Sequence, residues 1–129
     1  MYKYCFKKGA SIVVFTALIG CAAKSTDVNS SSFALASPSV TSPTSPYTNN
    51  SNTVTINGVC VNGYNVVLSG DVTAGEVITP SGALTTTCAS SVYQFVVTKA
   101  AQGTMNLYLV QVDGLGGTSE AVHFRWIYQ

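Results

Sequence analysis

The chain has 129 residues, of which 47% are hydrophobic and only 9% are charged, and its formal net charge at pH 7 is +1. This length allows one small domain at most. The scarcity of charge excludes the basic surface that nucleic-acid binding requires and a polybasic membrane-surface role for the folded part. We therefore expect no nucleic-acid partner.

The first twenty residues have the pattern of an export signal. Lys3, Lys7 and Lys8 form a basic start without acidic residues, and residues 10–19 are almost wholly apolar. The apolar run is shorter than the roughly 20 residues that a transmembrane helix needs. A basic start followed by a short apolar run is typical of a secretory signal, so we predict a signal peptide over residues 1–20.

The signal ends at Leu18-Ile19-Gly20-Cys21, which resembles the lipobox of bacterial lipoprotein precursors. The resemblance implies that Cys21 is lipidated, that the residues before it are removed, and that the mature protein is anchored to a membrane through its lipid. Ala22 stands where an aspartate tends to retain enteric-type lipoproteins in the inner membrane, so the resemblance points to the outer membrane. The alternative is cleavage by an ordinary signal peptidase after Ala22 or Ala23.

Two cysteines, Cys60 and Cys88, are left in the chain that follows Cys21. In an oxidising compartment an even pair favours a disulfide, and closing a loop of about 29 residues stabilises a fold by roughly 3–4 kcal/mol in the chain-entropy treatment. A metal site is the alternative, but this wide spacing and a single histidine lack the close-spaced ligand pairs of metal sites. We therefore predict a disulfide and no metal or other cofactor.

Residues 25–52 differ sharply in composition from the rest, since twenty of these twenty-eight residues are Ser, Thr, Asn or Pro. Such a segment buries too little apolar surface to offset the entropy of ordering. We therefore predict that residues 21–52 are the lipidated N-terminus followed by a disordered tether. As a flexible coil this segment would hold a folded domain roughly 30 Å from the bilayer.

From residue 53 onward the chain has an all-β pattern. Short β-branched and aromatic runs alternate with Gly, Asn, Asp and Pro about every ten residues, including the turn signals Asn62-Gly63 and Pro80-Ser81-Gly82. This pattern predicts an immunoglobulin-like antiparallel β-sandwich of about seven strands over residues 53–129. The predicted strands are residues 54–56, 64–69, 76–79, 84–88, 92–98, 104–112 and 120–128.

Alternation along these strands assigns one face of each to the core, because successive side chains in a strand point to opposite sides. The predicted core residues are Val66, Leu68, Tyr93, Phe95, Val97, Met105, Leu107, Leu109, Val122, Phe124 and Trp126.

This half of the chain contains the spaced motifs Ile56-x-Gly58-x-Cys60, Gly63-x-x-Val66-x-Leu68-x-Gly70, Cys88, Tyr93-x-Phe95-x-Val97 and Gln111-x-Asp113-x-x-Gly116-Gly117-x-Ser119. Together these motifs resemble the bacterial Ig-like domains of cell-surface proteins. The resemblance covers roughly residues 53–129 and implies a binding or adhesion role. This chain departs from the family in having Gly117 where members often have Asn.

No residue cluster predicts a reaction. His123, the only histidine, alternates with core positions and is expected to point outward, and the chain has no Gly-x-Ser-x-Gly elbow. We expect Asp113 to cap a turn, since a calcium site needs six to eight oxygen ligands. The acidic residues of this half are isolated in sequence, so we expect no enzyme activity. They are Asp71, Glu76, Asp113 and Glu120.

The outward face of the last two predicted strands is the best candidate for a binding surface, because Tyr and Arg beside aliphatic groups are enriched at interfaces. We expect an outer-membrane lipoprotein whose non-catalytic domain serves adhesion or interaction with a protein or glycan. The alternative is a periplasmic inhibitor or envelope assembly factor that acts on a protein partner. The candidate residues are Tyr108, Val110, His123, Arg125 and Ile127.

Overall fold

The computed structural model describes residues 34–129, together with two short strands near the start of the chain. These are Cys5–Phe6 (β1) and Ile12–Val13 (β2), which pair with each other antiparallel. The rest of the predicted signal peptide, the predicted lipidation at Cys21 and the tether up to residue 33 lie outside the described residues. The unit Ala34–Gln129 is described here by itself.

The regular secondary structure of residues 34–129 consists of nine strands and one short 3₁₀ helix. Among the described residues no helix is both long and apolar enough to cross a membrane. The 3₁₀ helix is Ala74–Glu76. The strands are Ser39–Ser42 (β3), Tyr47–Asn49 (β4), Thr53–Val59 (β5), Asn65–Gly70 (β6), Val77–Thr79 (β7), Thr85–Thr87 (β8), Val92–Thr98 (β9), Gly103–Val112 (β10) and Val122–Tyr128 (β11).

The strands form two sheets, one of four strands in the order β3-β5-β9-β7 and one of five in the order β4-β11-β10-β6-β8. All neighbours are antiparallel except β4 and β11, which are parallel. The orders correspond to strands A-B-E-D and G-F-C of an immunoglobulin domain, with β4 and β8 as additional edge strands. The predicted immunoglobulin-like sandwich is therefore confirmed. Because β5 and β6 belong to different sheets, Asn62-Gly63 turns the chain from one sheet to the other and does not close a hairpin.

The core lies between the two sheets and consists of the side chains that alternation assigned to it. Ten of the eleven predicted core residues are buried, and Val122, at the start of β11, is half-buried. Val54 and Ile56 of β5 and Val77 of β7 complete the core from the four-stranded sheet. Trp126, Phe95 and Phe124 are the largest side chains with no exposed surface.

The predicted disordered tether is wrong from Ser39 to Asn49, since β3 and β4 lie within it. β3 pairs with β5 in the four-stranded sheet, and β4 pairs with β11 at the edge of the five-stranded sheet. The folded unit thus begins at Ala34 and not at residue 53. We call residues 34–52 the N-terminal strap.

One reason why the strap folds is that it provides the hydrogen-bond partner of the buried tryptophan. The indole N–H of Trp126 donates to Oδ1 of Asn49 over 2.9 Å. Asn49 is fixed in turn, because its Nδ2 donates to the carbonyl of Thr53 and its own carbonyl accepts from the N–H of Gln129. A buried indole N–H without a hydrogen-bond partner would destabilise the fold by about 1–3 kcal/mol. The pairing of β4 with β11 provides this partner.

The strap also approaches the core closely at Gly58. The hydroxyl of buried Tyr93 donates to the carbonyl of Ser39 over 3.0 Å, and burial raises the pKa of this phenol well above its usual value. A Cβ on Gly58 would lie 1.9 Å from the same carbonyl oxygen and 2.4 Å from the Tyr93 ring. Only glycine therefore allows β3 and the tyrosine ring to meet at this point.

A buried glutamine provides the third attachment of the strap. Gln111 occupies an inward position of β10 and has no exposed surface. Its Nε2 donates to the carbonyl of Ala36, and its Oε1 accepts from the N–H of Val61, each over 2.6 Å. Both polar ends of the side chain are thus satisfied, which a buried amide requires.

Candidate functional site

The five predicted binding-face residues all lie on the outer side of the five-stranded sheet. Tyr108 and Val110 belong to β10, and His123, Arg125 and Ile127 belong to β11. Their side chains are exposed at Tyr108, His123 and Arg125 and half-buried at the two aliphatic residues. We call these five residues the β10–β11 face.

Two rings of this face stack on each other. Tyr108 and His123 are direct cross-strand neighbours, and their ring centroids are 4.9 Å apart with 16° between the planes. Directly opposite residues on antiparallel strands have Cβ atoms about 4.5–5.5 Å apart, so the strand register itself brings the rings into contact. The two rings therefore form a stacked pair on the outer side of the five-stranded sheet.

Asn106 holds the histidine in place from the adjacent outward position. Nε2 of His123 lies 2.9 Å from Oδ1 of Asn106, and Nε2 carries the shared proton because a carbonyl oxygen can only accept. The backbone of Asn106 is fixed by Asp71, whose Oδ2 accepts the Asn106 N–H over 2.8 Å. The carbonyl of Asn106 accepts the Asp71 N–H, and a Cβ on neighbouring Gly70 would lie 2.2 Å from this carbonyl oxygen.

Sequence reasoning missed Asn106 and treated Asp71 as isolated. The outward position of Asn106 followed from its alternation with Met105 and Leu107. Its contact with His123 depends on the register between β10 and β11, which no sequence pattern reports.

Aliphatic side chains extend the face toward β6. Val110 lies opposite Val67 of β6, which is also half-buried and points outward. The sequence analysis did not include Val67, although it alternates with the predicted core residues Val66 and Leu68. The stacked rings are therefore continuous with an aliphatic patch.

Arg125 brings a positive charge to this face. Its backbone N–H donates to Oγ of Ser45 in the strap over 2.9 Å. In residues 34–129 the recorded ion pair is the one between Lys99 and Glu76, with a distance of 2.5 Å. Within that part of the chain, no carboxylate oxygen lies within 4 Å of the Arg125 guanidinium.

The surroundings of His123 are those of a surface residue held by its neighbours. A serine hydrolase needs a nucleophile that hydrogen-bonds to the histidine and an acid that orients it. In residues 34–129 the recorded side-chain partners of the His123 ring are Asn106 and Tyr108. The same part of the chain contains no group of three or more His, Cys, Asp or Glu residues placed to hold a metal ion.

Asp113 caps the glycine-rich loop, as predicted. Its Oδ1 accepts the N–H groups of Leu115 and Gly117 over 2.9 and 2.8 Å. A Cβ on Gly117 would lie 3.0 Å from the other carboxylate oxygen, so glycine lets the carboxylate fold closely over the loop. The loop hydrogen bonds thus occupy Oδ1 of this carboxylate.

The predicted disulfide between Cys60 and Cys88 is confirmed. The sulfur atoms are 2.00 Å apart and the Cα atoms 5.9 Å apart. Cys60 follows β5 of the four-stranded sheet and Cys88 follows β8 of the five-stranded sheet. The bond therefore ties the two sheets together covalently.

A groove lies on the outer side of the four-stranded sheet. This open groove of about 520 Å³ includes the exposed side chains of Val59 and Val92, which are cross-strand neighbours. Beside them, Nε2 of Gln94 donates to Oδ1 of Asn57 over 2.9 Å. Sequence reasoning did not identify this groove, although both valines occupy outward positions.

Comparison with models of known protein families gives no match, and comparison with curated protein sequences gives none either. We therefore infer function from the chain's own motifs and from the geometry of its surfaces.

Proposed function

We propose that the mature protein is an outer-membrane lipoprotein whose Ig-like domain binds a partner through the β10–β11 face without catalysing a reaction. The observation that carries this proposal is the Tyr108–His123 stack, which is exposed beside Arg125 and an aliphatic patch. Aromatic residues and arginine are the residue types enriched at interfaces and at their energetic hot spots. The expected role is adhesion or another interaction with an envelope or cell-surface molecule.

The contacts within the Tyr108–His123 pair support this role. Binding costs free energy when side chains lose freedom at an interface, about 0.5–1.5 kcal/mol for each side chain rich in rotamers. Tyr108 and His123 restrain each other by stacking, and Asn106 restrains the histidine further. Much of this cost is therefore met when the domain folds, before a partner arrives.

The proposed anchor rests on the lipobox resemblance at Leu18-Ile19-Gly20-Cys21. Because the folded unit begins at Ala34, twelve residues separate it from the lipidated cysteine. At full extension twelve residues span at most about 43 Å, against about 112 Å for the 31 residues between Cys21 and residue 53. The folding of the strap thus lowers the maximum distance between the domain and the bilayer.

Photo-crosslinking in a bacterial host tests the binding face. A photoreactive amino acid replaces Val110 on the proposed face, and in the control it replaces Gln94 on the outer side of the other sheet. We expect a discrete adduct from position 110 that Tyr108→Ala abolishes, and no such adduct from position 94. Equal adducts from both positions, or adducts from position 94 alone, would contradict the proposal.

Labelling with radioactive palmitate tests the anchor. We expect Cys21→Ser to abolish incorporation and Cys5→Ser, which changes a cysteine of the signal, to retain it. Incorporation that survives Cys21→Ser refutes the lipidation site. Protease added to intact cells then separates the two roles, because digestion of the lipoprotein favours adhesion and full protection favours the periplasmic inhibitor or assembly factor.

A further inference from the structure

Most charged side chains of residues 34–129 are engaged within the fold. Two of them, the carboxylate of Glu120 and the guanidinium of Arg125, have no ion pair or side-chain hydrogen bond among these residues, and only Arg125 lies on the β10–β11 face. Lys99 pairs with Glu76, and the carboxylates of Asp71 and Asp113 accept backbone N–H groups. Arg125 is the only charged residue among the strand residues that point outward from the five-stranded sheet. It is exposed, and no carboxylate of this part of the chain pairs with it.

Among residues 34–129, the side chains around Arg125 provide no opposite charge to it. Its cross-strand neighbour is Asn106, whose Oδ1 is already engaged by His123. Its outward neighbours on β11 are His123 and Ile127. A guanidinium in this setting is suited to a carboxylate from outside, which it can bind through two parallel hydrogen bonds.

Resting on the proposed function, we propose that the partner is a protein segment that places an Asp or Glu carboxylate on Arg125 and an apolar side chain against Tyr108. A protein is favoured over an acidic glycan because the face continues into Val110, Ile127 and Val67. These aliphatic groups gain free energy when apolar side chains cover them, which sugar hydroxyls cannot do.

The register fixes the spacing of the two groups on the partner. Arg125 lies opposite Asn106, two residues before Tyr108, so the arginine and the tyrosine are diagonal neighbours on adjacent strands. Such neighbours are about 7–8 Å apart. Two residues of an extended chain span roughly 6.6–7 Å, so the partner segment carries its acidic and apolar residues two positions apart.

Selection from a displayed library of random twelve-residue peptides tests this inference, with the full-length chain in detergent as bait. We expect selected peptides to contain an acidic residue two positions from an aromatic or aliphatic one. Their affinity falls about tenfold for Arg125→Gln and decreases with added salt, since a charge-assisted hydrogen bond is lost or screened. Arg125→Lys retains part of the affinity, and the control Lys99→Gln retains all of it.

The outcomes separate this inference from the proposed function. Peptides that bind Arg125→Gln as tightly as the unchanged chain but lose affinity for Tyr108→Ala overturn the carboxylate partner and leave the binding face standing. Peptides whose affinity changes with neither Arg125→Gln nor Tyr108→Ala contradict both the carboxylate partner and the binding face. Failure to select any peptide, or Arg125-dependent binding of an acidic oligosaccharide from a glycan array, overturns the inference of a protein partner.

Discussion

The N-terminal strap and the last three strands belong to the same sandwich, yet their sequences indicate it in different ways. β9, β10 and β11 alternate apolar and polar residues, and their inward side chains build most of the core. The strap contributes less apolar surface: Pro38 is buried, and Val40 and Tyr47 are partly buried against the core. Its polar atoms are the hydrogen-bond partners of buried core residues. A segment whose composition suggests disorder can therefore be ordered because buried polar groups require partners.

Deleting residues 34–49 is expected to have the largest effect. It removes two strands and the partners of Trp126, Tyr93 and Gln111, so we expect a loss of about 5 kcal/mol or more, comparable with the entire stability of a small domain. Trp126 is the only tryptophan, so its fluorescence reports the loss of its buried site directly. The deletion should shift the emission to longer wavelength and abolish cooperative unfolding in urea.

Deleting residues 25–33 is the matched control, since it shortens the chain before the folded unit and keeps Cys21. We expect the urea midpoint to stay unchanged. If the variant without residues 34–49 still unfolds cooperatively at the midpoint of the unchanged chain, the strap is a tether and not part of the fold.

Gln111→Ala is expected to have the next largest effect, because it removes one of the strap's attachments without touching the strap. The backbone groups of Ala36 and Val61 lose their partners, which should cost about 2–3 kcal/mol at roughly 1 kcal/mol per net hydrogen bond plus the desolvation of what remains. The control Gln94→Ala alters an exposed glutamine and should cost less than about 0.5 kcal/mol.

Gln111→Glu sharpens the test, because it keeps an acceptor for Val61 but presents an oxygen to the carbonyl of Ala36. We expect it to destabilise the domain at pH 7 by at least as much as Gln111→Ala, measured by urea unfolding. Equal stability of Gln111→Glu and the unchanged chain would show that the strap does not depend on this donor.

Most of the fold could be predicted from the sequence, because its main determinant is the period-two pattern of strands such as β9 and β10. The strap could not, since the polar atoms of Asn49 and Ser39 meet Trp126 and Tyr93 only after folding. The disulfide could be predicted because only two cysteines, Cys60 and Cys88, follow Cys21 in the sequence.

The candidate site divides in the same way. Outward alternation correctly placed Tyr108, His123 and Arg125 on one face. The stacking of the rings and the anchoring of His123 by Asn106 depend on which residues lie opposite each other on β10 and β11. Register is a tertiary property, set by how whole strands pack, and a single sequence does not report it.

Asn49→Ala is expected to have a moderate effect, since it leaves the strap in place but removes the acceptor for the Trp126 indole. An unsatisfied buried N–H predicts a loss of about 1–2 kcal/mol in the free energy of unfolding. Asn50→Ala, at an exposed neighbouring position, is the control and should change stability by less than about 0.5 kcal/mol. Equal effects of the two substitutions would show that the indole hydrogen bond does not stabilise the strap.

The smallest effect is expected at the ion pair between Glu76 and Lys99, which attaches no part of the strap. The hydrogen bond from Lys99 lowers the pKa of the Glu76 carboxyl below its usual value of 4.5. A carboxyl whose pKa is lower in the folded state stabilises the protein above pH 4.5, and this contribution is lost as the pH falls through the folded-state pKa.

Urea unfolding of Glu76→Gln should therefore show a shallower loss of stability between about pH 5 and 3 than the unchanged chain. Lys99→Gln should flatten the curve similarly, and the double variant should differ little from either single one, because both remove the same interaction. Additive effects of the two substitutions would show that Glu76 and Lys99 do not act as a pair.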